Sequence, residues 1–139
     1  MSQPKETLAA QILASGQQTL ATEAQALNDL EHRLDQTFVE AVQLLLACQA
    51  RVIVCGLGKT GHIARKVAAT LASTGTPAVF MHAAEALHGD LGMLTEQDVL
   101  LALSHSGSGQ ELLTVVAAAH RLSVPVIAIP TPVVGADVG

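Results

Sequence analysis

Residues 51–61 read R-V-I-V-C-G-L-G-K-T-G, and this stretch decides the fold. Its first half is a continuous apolar, β-branched run, which predicts a strand buried on both faces rather than one that alternates between core and water. Its second half turns at glycines and leads into a helical pattern. A buried strand, a glycine loop and a helix in this order are typical of an α/β domain with a parallel sheet.

Three later runs have the same apolar character, and helical patterns separate them. The predicted strands cover residues 51–55, 78–81, 99–103 and 124–129, with helices over 63–73 and 111–122 and a short helix over 83–87. We therefore predict a three-layer α/β sandwich with a mainly parallel sheet in flavodoxin-like order.

The first 48 residues have a different pattern, in which apolar side chains recur at steps of three, four and seven. Leu27, Leu30 and Leu34 belong to this series, which keeps one helical face apolar. We expect a long amphipathic helix over 20–45, a shorter helix before it and a break at Gly16. The domains are then an N-terminal helical segment, 1–48, and an α/β domain, 49–139. The second is expected to be incomplete at its C-terminal end, since such a sheet ordinarily continues.

Composition narrows the classes of function. Half of the 139 residues are apolar, so the chain can bury one core. The net charge is −5 and the Lys and Arg residues are scattered, which argues against nucleic acid as a partner. Cys48 and Cys55 are too few for a disulfide framework and are interpreted as structural thiols. No run approaches the length that spans a membrane. We predict a soluble, cytoplasmic protein without a membrane partner.

The glycine loop, Gly56 to Gly61, follows a strand and opens a helix, so its backbone N–H groups can hold an anion such as phosphate. The loop also fits the dinucleotide fingerprint. The place of the acidic residue that this fingerprint requires carries Met81 and His82, and Glu85 lies just beyond. A Walker-type loop fails because its first glycine would fall inside the strand. The loop alone leaves phosphate binding and dinucleotide binding open.

A second polar loop, residues 103–107, reads L-S-H-S-G and follows the third strand. The hydroxyls of Ser104 and Ser106 can add phosphate donors beside the glycine loop, so that the two loops form a pocket. The alternative is that Ser108 and Glu111 form an S-x-x-E capping box, which stabilises the next helix without any ligand.

Four motifs carry a family resemblance. They read G-L-G-K-T-G-H-I, A-S-T-G-T-P, H-A-A-E-A-L-H-G-D-L-G-M and L-S-H-S-G. In order and spacing they resemble the arabinose 5-phosphate isomerases of the sugar isomerase (SIS) superfamily, over about residues 51–129. Residues 85–93 are the most distinctive part, because the two loops alone would be shared with other branches of the superfamily.

The resemblance implies interconversion of D-ribulose 5-phosphate and D-arabinose 5-phosphate by proton transfer through an enediol, with no cofactor. It places Lys59 and Glu111 on catalytic positions, with His88 orienting or polarising the sugar oxygens. The positions that the resemblance implies to contact substrate are Thr60, Gly75, Thr76, His88, Ser104, His105 and Ser106. It also puts His82 on a metal-contacting position, but one ligand does not make a zinc site, so a metal there would be inhibitory or adventitious.

From the residues alone, Lys59 can equally be a solvated loop residue, and His82 and His88 structural histidines. The family's domain continues beyond this chain with a further acidic residue and a histidine of the active site. Gly109 and Gln110 stand where the family often has hydroxyl residues. Three hypotheses follow: an active isomerase, a truncated sugar-phosphate-binding module without catalysis, and a structural partner that dimerises through the helix over 20–45 and binds no phosphosugar. The apolar helix and the family both predict a homo-oligomer.

Overall fold

The computed structural model describes residues 4–105 and 109–130. The chain forms two compact units, residues 1–39 and 40–139. The helices are α1 (Leu8–Arg33), α2 (Gln36–Ala47), α3 (Lys59–Ser73), α4 (Ala83–Ala86) and α5 (Gln110–Arg121), with a 3-10 turn at Asp90–Met93. The strands are β1 (Val52–Gly56), β2 (Ala78–His82), β3 (Val99–Ser104) and β4 (Val126–Pro130).

The four strands form one parallel sheet in the order β2-β1-β3-β4. Val52 in β1 pairs with Ala78 in β2 on one side and with Val99 in β3 on the other. The predicted fold class is therefore confirmed. The fourth strand begins two residues later than predicted, because the N–H of Val124 donates to the carbonyl of Ala119 and closes the end of α5 instead.

Helices cover both faces of the sheet, since alternate strand residues point to opposite sides. Ile53 and Cys55 pack with Val115 of α5 in one buried cluster, which α4 also joins. Val52 and Val54 pack on the opposite face with residues of α3 and with Leu45 and Cys48. The sheet is thus the middle of three layers.

The N-terminal helices differ from the prediction. α1 runs unbroken through Gly16, where glycine costs only about 1 kcal/mol in an exposed helix. The helix ends instead at Leu34, whose backbone is extended at φ −66° and ψ 130°. The Asp35 carboxylate then accepts the N–H of Thr37 at 3.0 Å and starts α2. The predictions of one helix over 20–45 and of a break at Gly16 were therefore wrong.

A buried carboxylate organises the amino edge of the sheet. Asp98 is 1% exposed and accepts the backbone N–H of Arg51 at 3.0 Å and that of Thr95 at 2.9 Å. The Arg51 guanidinium lies 3.5 Å from the carboxylate and donates to the carbonyl of Met93 at 2.9 Å. This cluster ties the crossover between β2 and β3 to the base of β1. Nothing in the sequence pattern distinguishes Asp98 from a solvated turn residue.

Candidate functional site

The strand order creates a crevice at the carboxyl edge of the sheet. From β1 the chain passes through α3 to β2 on one side, and from β3 it passes through α5 to β4 on the other. Loops that leave neighbouring parallel strands in opposite directions open a crevice, and open α/β sheets bind ligands there. The crevice lies between the ends of β1 and β3, where both predicted loops are located.

A pocket of about 130 Å³ occupies this crevice. The glycine loop supplies part of its wall, the end of β3 another part, and the start of α5 the rest. Its lining residues are Leu57, Thr60, Leu103, Ser104, His105, Gly109 and Leu112. Both α3 and α5 begin at this edge, so two helix N-termini, each favourable to negative charge, border the same pocket.

Two glycines give the first loop its shape. A Cβ on Gly56 would lie 2.7 Å from the carbonyl oxygen of Thr60, so no larger residue fits where the strand passes under the helix. Gly58 has φ +60° and ψ −128°, a conformation that favours glycine, and it precedes the first residue of α3. The glycines therefore bring the backbone close and turn it directly into the helix.

Thr60 is 7% exposed and lines the pocket, but its hydroxyl group is engaged within the loop. It donates to the carbonyl of Leu57 at 2.6 Å and accepts the N–H of the same residue at 3.1 Å. Sequence comparison alone could not reveal this arrangement, because both partners are backbone atoms.

The predicted catalytic residues lie on three different elements. Lys59 is exposed and begins α3. Glu111 is half-buried and is the second residue of α5, where a negative charge is favoured. His88 is exposed on the segment that follows β2 and α4, and its backbone N–H donates to the backbone carbonyl of Glu85. Lys59 and Glu111 thus lie at the start of helices at the edge where the crevice opens, but none of the three predicted catalytic residues is among the described residues that line the pocket.

The serine loop is described in part. Ser104 ends β3 opposite Pro130, and His105 follows as an exposed residue, both in the pocket wall. Ser106 and Ser108 lie outside the described residues. Because α5 begins at Gln110 with Gly109 as its N-cap, Glu111 is one position too early to complete a capping box. Any part that Ser108 takes in capping this helix lies outside the described residues.

His82 caps the short helix that follows β2. Its Nδ1 accepts the N–H of Ala84 at 3.2 Å, which leaves the proton of the neutral ring on Nε2. A metal would have to displace either that hydrogen bond or that proton. Within residues 4–105 and 109–130, no group of three or more His, Cys, Asp or Glu side chains could hold a metal ion.

Gly75 and Thr76 lie away from the crevice. Gly75 has φ +102°, and the N–H of Thr76 donates to the carbonyl of Leu71 at 2.9 Å, so the two residues close the end of α3 in a Schellman motif. They precede β2 and therefore lie at the amino edge of the sheet. Within one chain the structure does not bring them to the pocket.

Cys55 lies in β1 but is not a nucleophile for this site. Burial raises the pKa of its thiol to about 11, so the thiol stays protonated and packs as a small apolar group. Cys48 is half-buried and donates to the carbonyl of Arg51 at 3.4 Å. Both cysteines are free, in agreement with the structural role predicted for them.

A parallel α/β sheet with an anion-binding loop at its switch point defines a class of phosphate-binding domains. The SIS domain model matches residues 45–131 of this chain. The chain belongs to the SIS domain family.

Curated relatives carry one activity in their names. Arabinose 5-phosphate isomerase KdsD of Pseudomonas aeruginosa is 51% identical over 113 residues, which are 81% of this chain and 35% of that protein. Arabinose 5-phosphate isomerase GutQ of Shigella flexneri is 49% identical over 117 residues, 84% of this chain and 36% of that protein. The chain thus spans about a third of the length of the curated relatives it matches.

Solved structures share the fold. An E. coli CFT073 protein in complex with arabinose 5-phosphate superimposes with a TM-score of 0.83 at 34% identity, covering 90% of this chain and 66% of that one. A Bacteroides fragilis structure described as a putative phosphosugar isomerase involved in capsule formation has a TM-score of 0.79 at 38% identity, covering 86% and 64%.

Proposed function

We propose that this chain binds a phosphorylated pentose between β1 and β3. We propose further that it acts as an aldose-ketose isomerase, which interconverts D-ribulose 5-phosphate and D-arabinose 5-phosphate. The observation that carries the proposal is the pocket at the switch point, walled by the glycine loop and the end of β3. The names of the relatives and the sugar bound by the E. coli CFT073 protein support this substrate.

The phosphate end of the substrate fits the helix N-termini. The first N–H groups of a helix have no partner within the helix, and both α3 and α5 present theirs beside the pocket. Lys59 adds a full positive charge at the start of α3. In a chain of net charge −5, this local arrangement is what attracts a dianion.

The reaction needs one proton to move between adjacent carbons. A base removes a proton from C1 of ribulose 5-phosphate, the enediol forms, and the proton returns to C2 while a hydroxyl proton passes from O1 to O2. Glu111 is proposed as the base, Lys59 as the group that stabilises the enediolate charge, and His88 as the group that orients the sugar oxygens. No electron leaves the substrate, so the proposed reaction uses no redox cofactor.

A non-catalytic sugar-phosphate-binding module is the second candidate, and the observation that favours it is that Lys59, Glu111 and His88 are not among the described residues that line the pocket. Turnover of ribulose 5-phosphate by this chain, together with calorimetric titration of the sugar phosphate, separates the two. Turnover supports the isomerase. Binding without turnover supports the module, and absence of binding contradicts both.

Replacement of the proposed base tests its role. We expect Glu111→Gln to lower kcat about 100-fold or more, with substrate affinity little changed, because a general base contributes a factor of this order. Glu96→Gln is the matched control, since Glu96 is exposed near the amino edge of the sheet. Equal activity of wild type and Glu111→Gln would rule out Glu111 as the base.

We also infer a homo-oligomer in the cytoplasm, without a nucleic acid or membrane partner. The support for self-association is α1, in which Leu13, Leu20 and Leu27 recur every seven residues and no residue is buried. A repeat of seven is typical of helices that pack on one another. In the described part of the chain, no helix is long and apolar enough to cross a bilayer.

A further inference from the structure

The hydroxyl group of Thr60 has a single hydrogen to donate. That hydrogen is directed at the carbonyl oxygen of Leu57, 2.6 Å away, which is a short and therefore strong contact for two neutral groups. A phosphate oxygen can accept hydrogen bonds but cannot donate one when it is ionised. While Thr60 holds Leu57 in this way, its hydroxyl group offers only a lone pair to the pocket.

The second bond of Thr60 points to the same role. The N–H of Leu57 donates to Oγ1 at 3.1 Å, so one side chain satisfies both polar groups of a single backbone residue. These two bonds fix the orientation of the peptide groups on either side of Leu57. Leu57 lies between Gly56, pressed against the Thr60 carbonyl, and Gly58 at φ +60°, so two permissive glycines flank the residue that Thr60 holds.

The loop conformation matters for the ligand because backbone N–H groups at the start of α3 must converge on one anion. A loop with two glycines samples many conformations unless something restrains it. Thr60 is buried to 7% exposure, where hydrogen bonds are shielded from competing water. Its two bonds close a ring from Leu57 to the first turn of the helix.

We propose that Thr60 is a positioning residue, which holds the glycine loop in its anion-accepting shape through Leu57 and does not itself donate to the phosphate. This inference rests on the proposed phosphate pocket, and it differs from the direct phosphate contact that the family resemblance implies for this position. The two roles predict different behaviour of one atom, the amide hydrogen of Leu57.

The first experiment follows amide hydrogen exchange by NMR in the ligand-free chain. Loss of one protecting hydrogen bond of about 1.4 kcal/mol corresponds to a tenfold rise in exchange, so Thr60→Val should speed exchange at Leu57 about tenfold. Thr60→Ser keeps the hydroxyl group and should leave exchange within about twofold of wild type. Thr70→Val, on an exposed site of the same helix, is the matched control. Unchanged exchange at Leu57 in folded Thr60→Val would overturn the proposal.

The second experiment adds saturating inorganic phosphate to the wild-type chain. If Thr60 positions the loop, the Leu57 amide stays protected or becomes more protected when phosphate binds. If Thr60 turns to donate to phosphate, its two hydrogen bonds to Leu57 break and the exchange rate of the Leu57 amide rises. That result would contradict the inference. Failure of phosphate to bind wild type would reject the proposed pocket, and the exchange rates of the ligand-free variants would still decide whether Thr60 holds Leu57.

Discussion

At the scale of single residues, the close approach of β1 and α3 at Gly56 sets the shape of the candidate site. A Cβ at this position would lie 2.7 Å from a backbone oxygen, which cannot rotate away as a side chain could. We expect Gly56→Ala to lower the free energy of unfolding by about 1–3 kcal/mol, the usual cost of overpacking. Denaturant titration measures this, and the same variant should weaken phosphate binding because the loop must shift.

Gly92→Ala is the control for this comparison. A Cβ at Gly92 meets nothing within 4 Å, and the residue does not have a positive φ. Its unfolding free energy should therefore stay close to that of wild type. Equal stability of the Gly56→Ala and Gly92→Ala variants would show that the strand and helix are not packed as closely as described.

Asp98 predicts a pH dependence of stability. Burial, the largest influence, raises the pKa of this carboxyl group, but the N–H donors of Thr95 and Arg51, the Arg51 charge and the Thr95 hydroxyl together bring it below its ordinary value. Its contribution is therefore fully present above the unfolded value, about pH 4, and is lost as pH falls through the lower folded value. The wild-type chain should lose stability on acidification in this range.

Asp98→Asn isolates that contribution. At pH 7 we expect it to lower the free energy of unfolding by about 2 kcal/mol, since hydrogen bonds to a charged group are lost. The difference from wild type should narrow below about pH 4, where the carboxyl group of the unfolded wild-type chain takes up a proton before that of the folded chain. Glu96→Gln, two residues away and exposed, should show no such difference. Denaturant titrations between pH 3 and pH 7 would contradict this account if the difference in unfolding free energy between wild type and Asp98→Asn stayed constant.

At the scale of elements, a substitution at the end of α3 tests whether Gly75 has a structural role or contacts the ligand. Gly75 has φ +102° with open space around it, so alanine there meets only conformational strain, about 1–2 kcal/mol. We expect Gly75→Ala to lower stability by this amount and to leave phosphate affinity unchanged, as judged by denaturant and calorimetric titrations. Lost affinity at unchanged stability would instead indicate that Gly75 of a second copy reaches the pocket.

The elements also show how far sequence reasoning reaches. Continuous apolar runs predicted all four strands, although only the central strands β1 and β3 are buried along nearly their whole length, and the edge strands β2 and β4 are partly exposed. The break in the N-terminal helix was misplaced, since Gly16 has no packing partner that would make its low helix propensity decisive, whereas Asp35 provides a cap. The bonds of Thr60 and Asp98 to backbone atoms were not predictable, because they depend on loop geometry rather than on residue spacing.

At the scale of the whole molecule, the leucines of α1 predict the state of association. Two charges at Leu20 and Leu27 would face one another across any interface that this stripe forms. We expect the double variant Leu20→Glu, Leu27→Glu to reduce the molar mass measured by light scattering at micromolar concentration. Thr22→Glu with Gln25→Glu places the same charges on another face of the helix and should leave the mass unchanged. A monomeric wild type would contradict the proposed homo-oligomer.

The position of the pocket between β1 and β3 also bears on how the protein folds. Val52 pairs with Val99, and α3, β2 and the whole crossover segment lie between them in the chain. This long loop must close before the two walls meet, so the pocket is completed only after the most distant contacts have formed. A phosphosugar that binds the finished pocket should therefore slow unfolding much more than it speeds folding. In the cell, substrate would then protect the protein by lengthening the lifetime of its folded state.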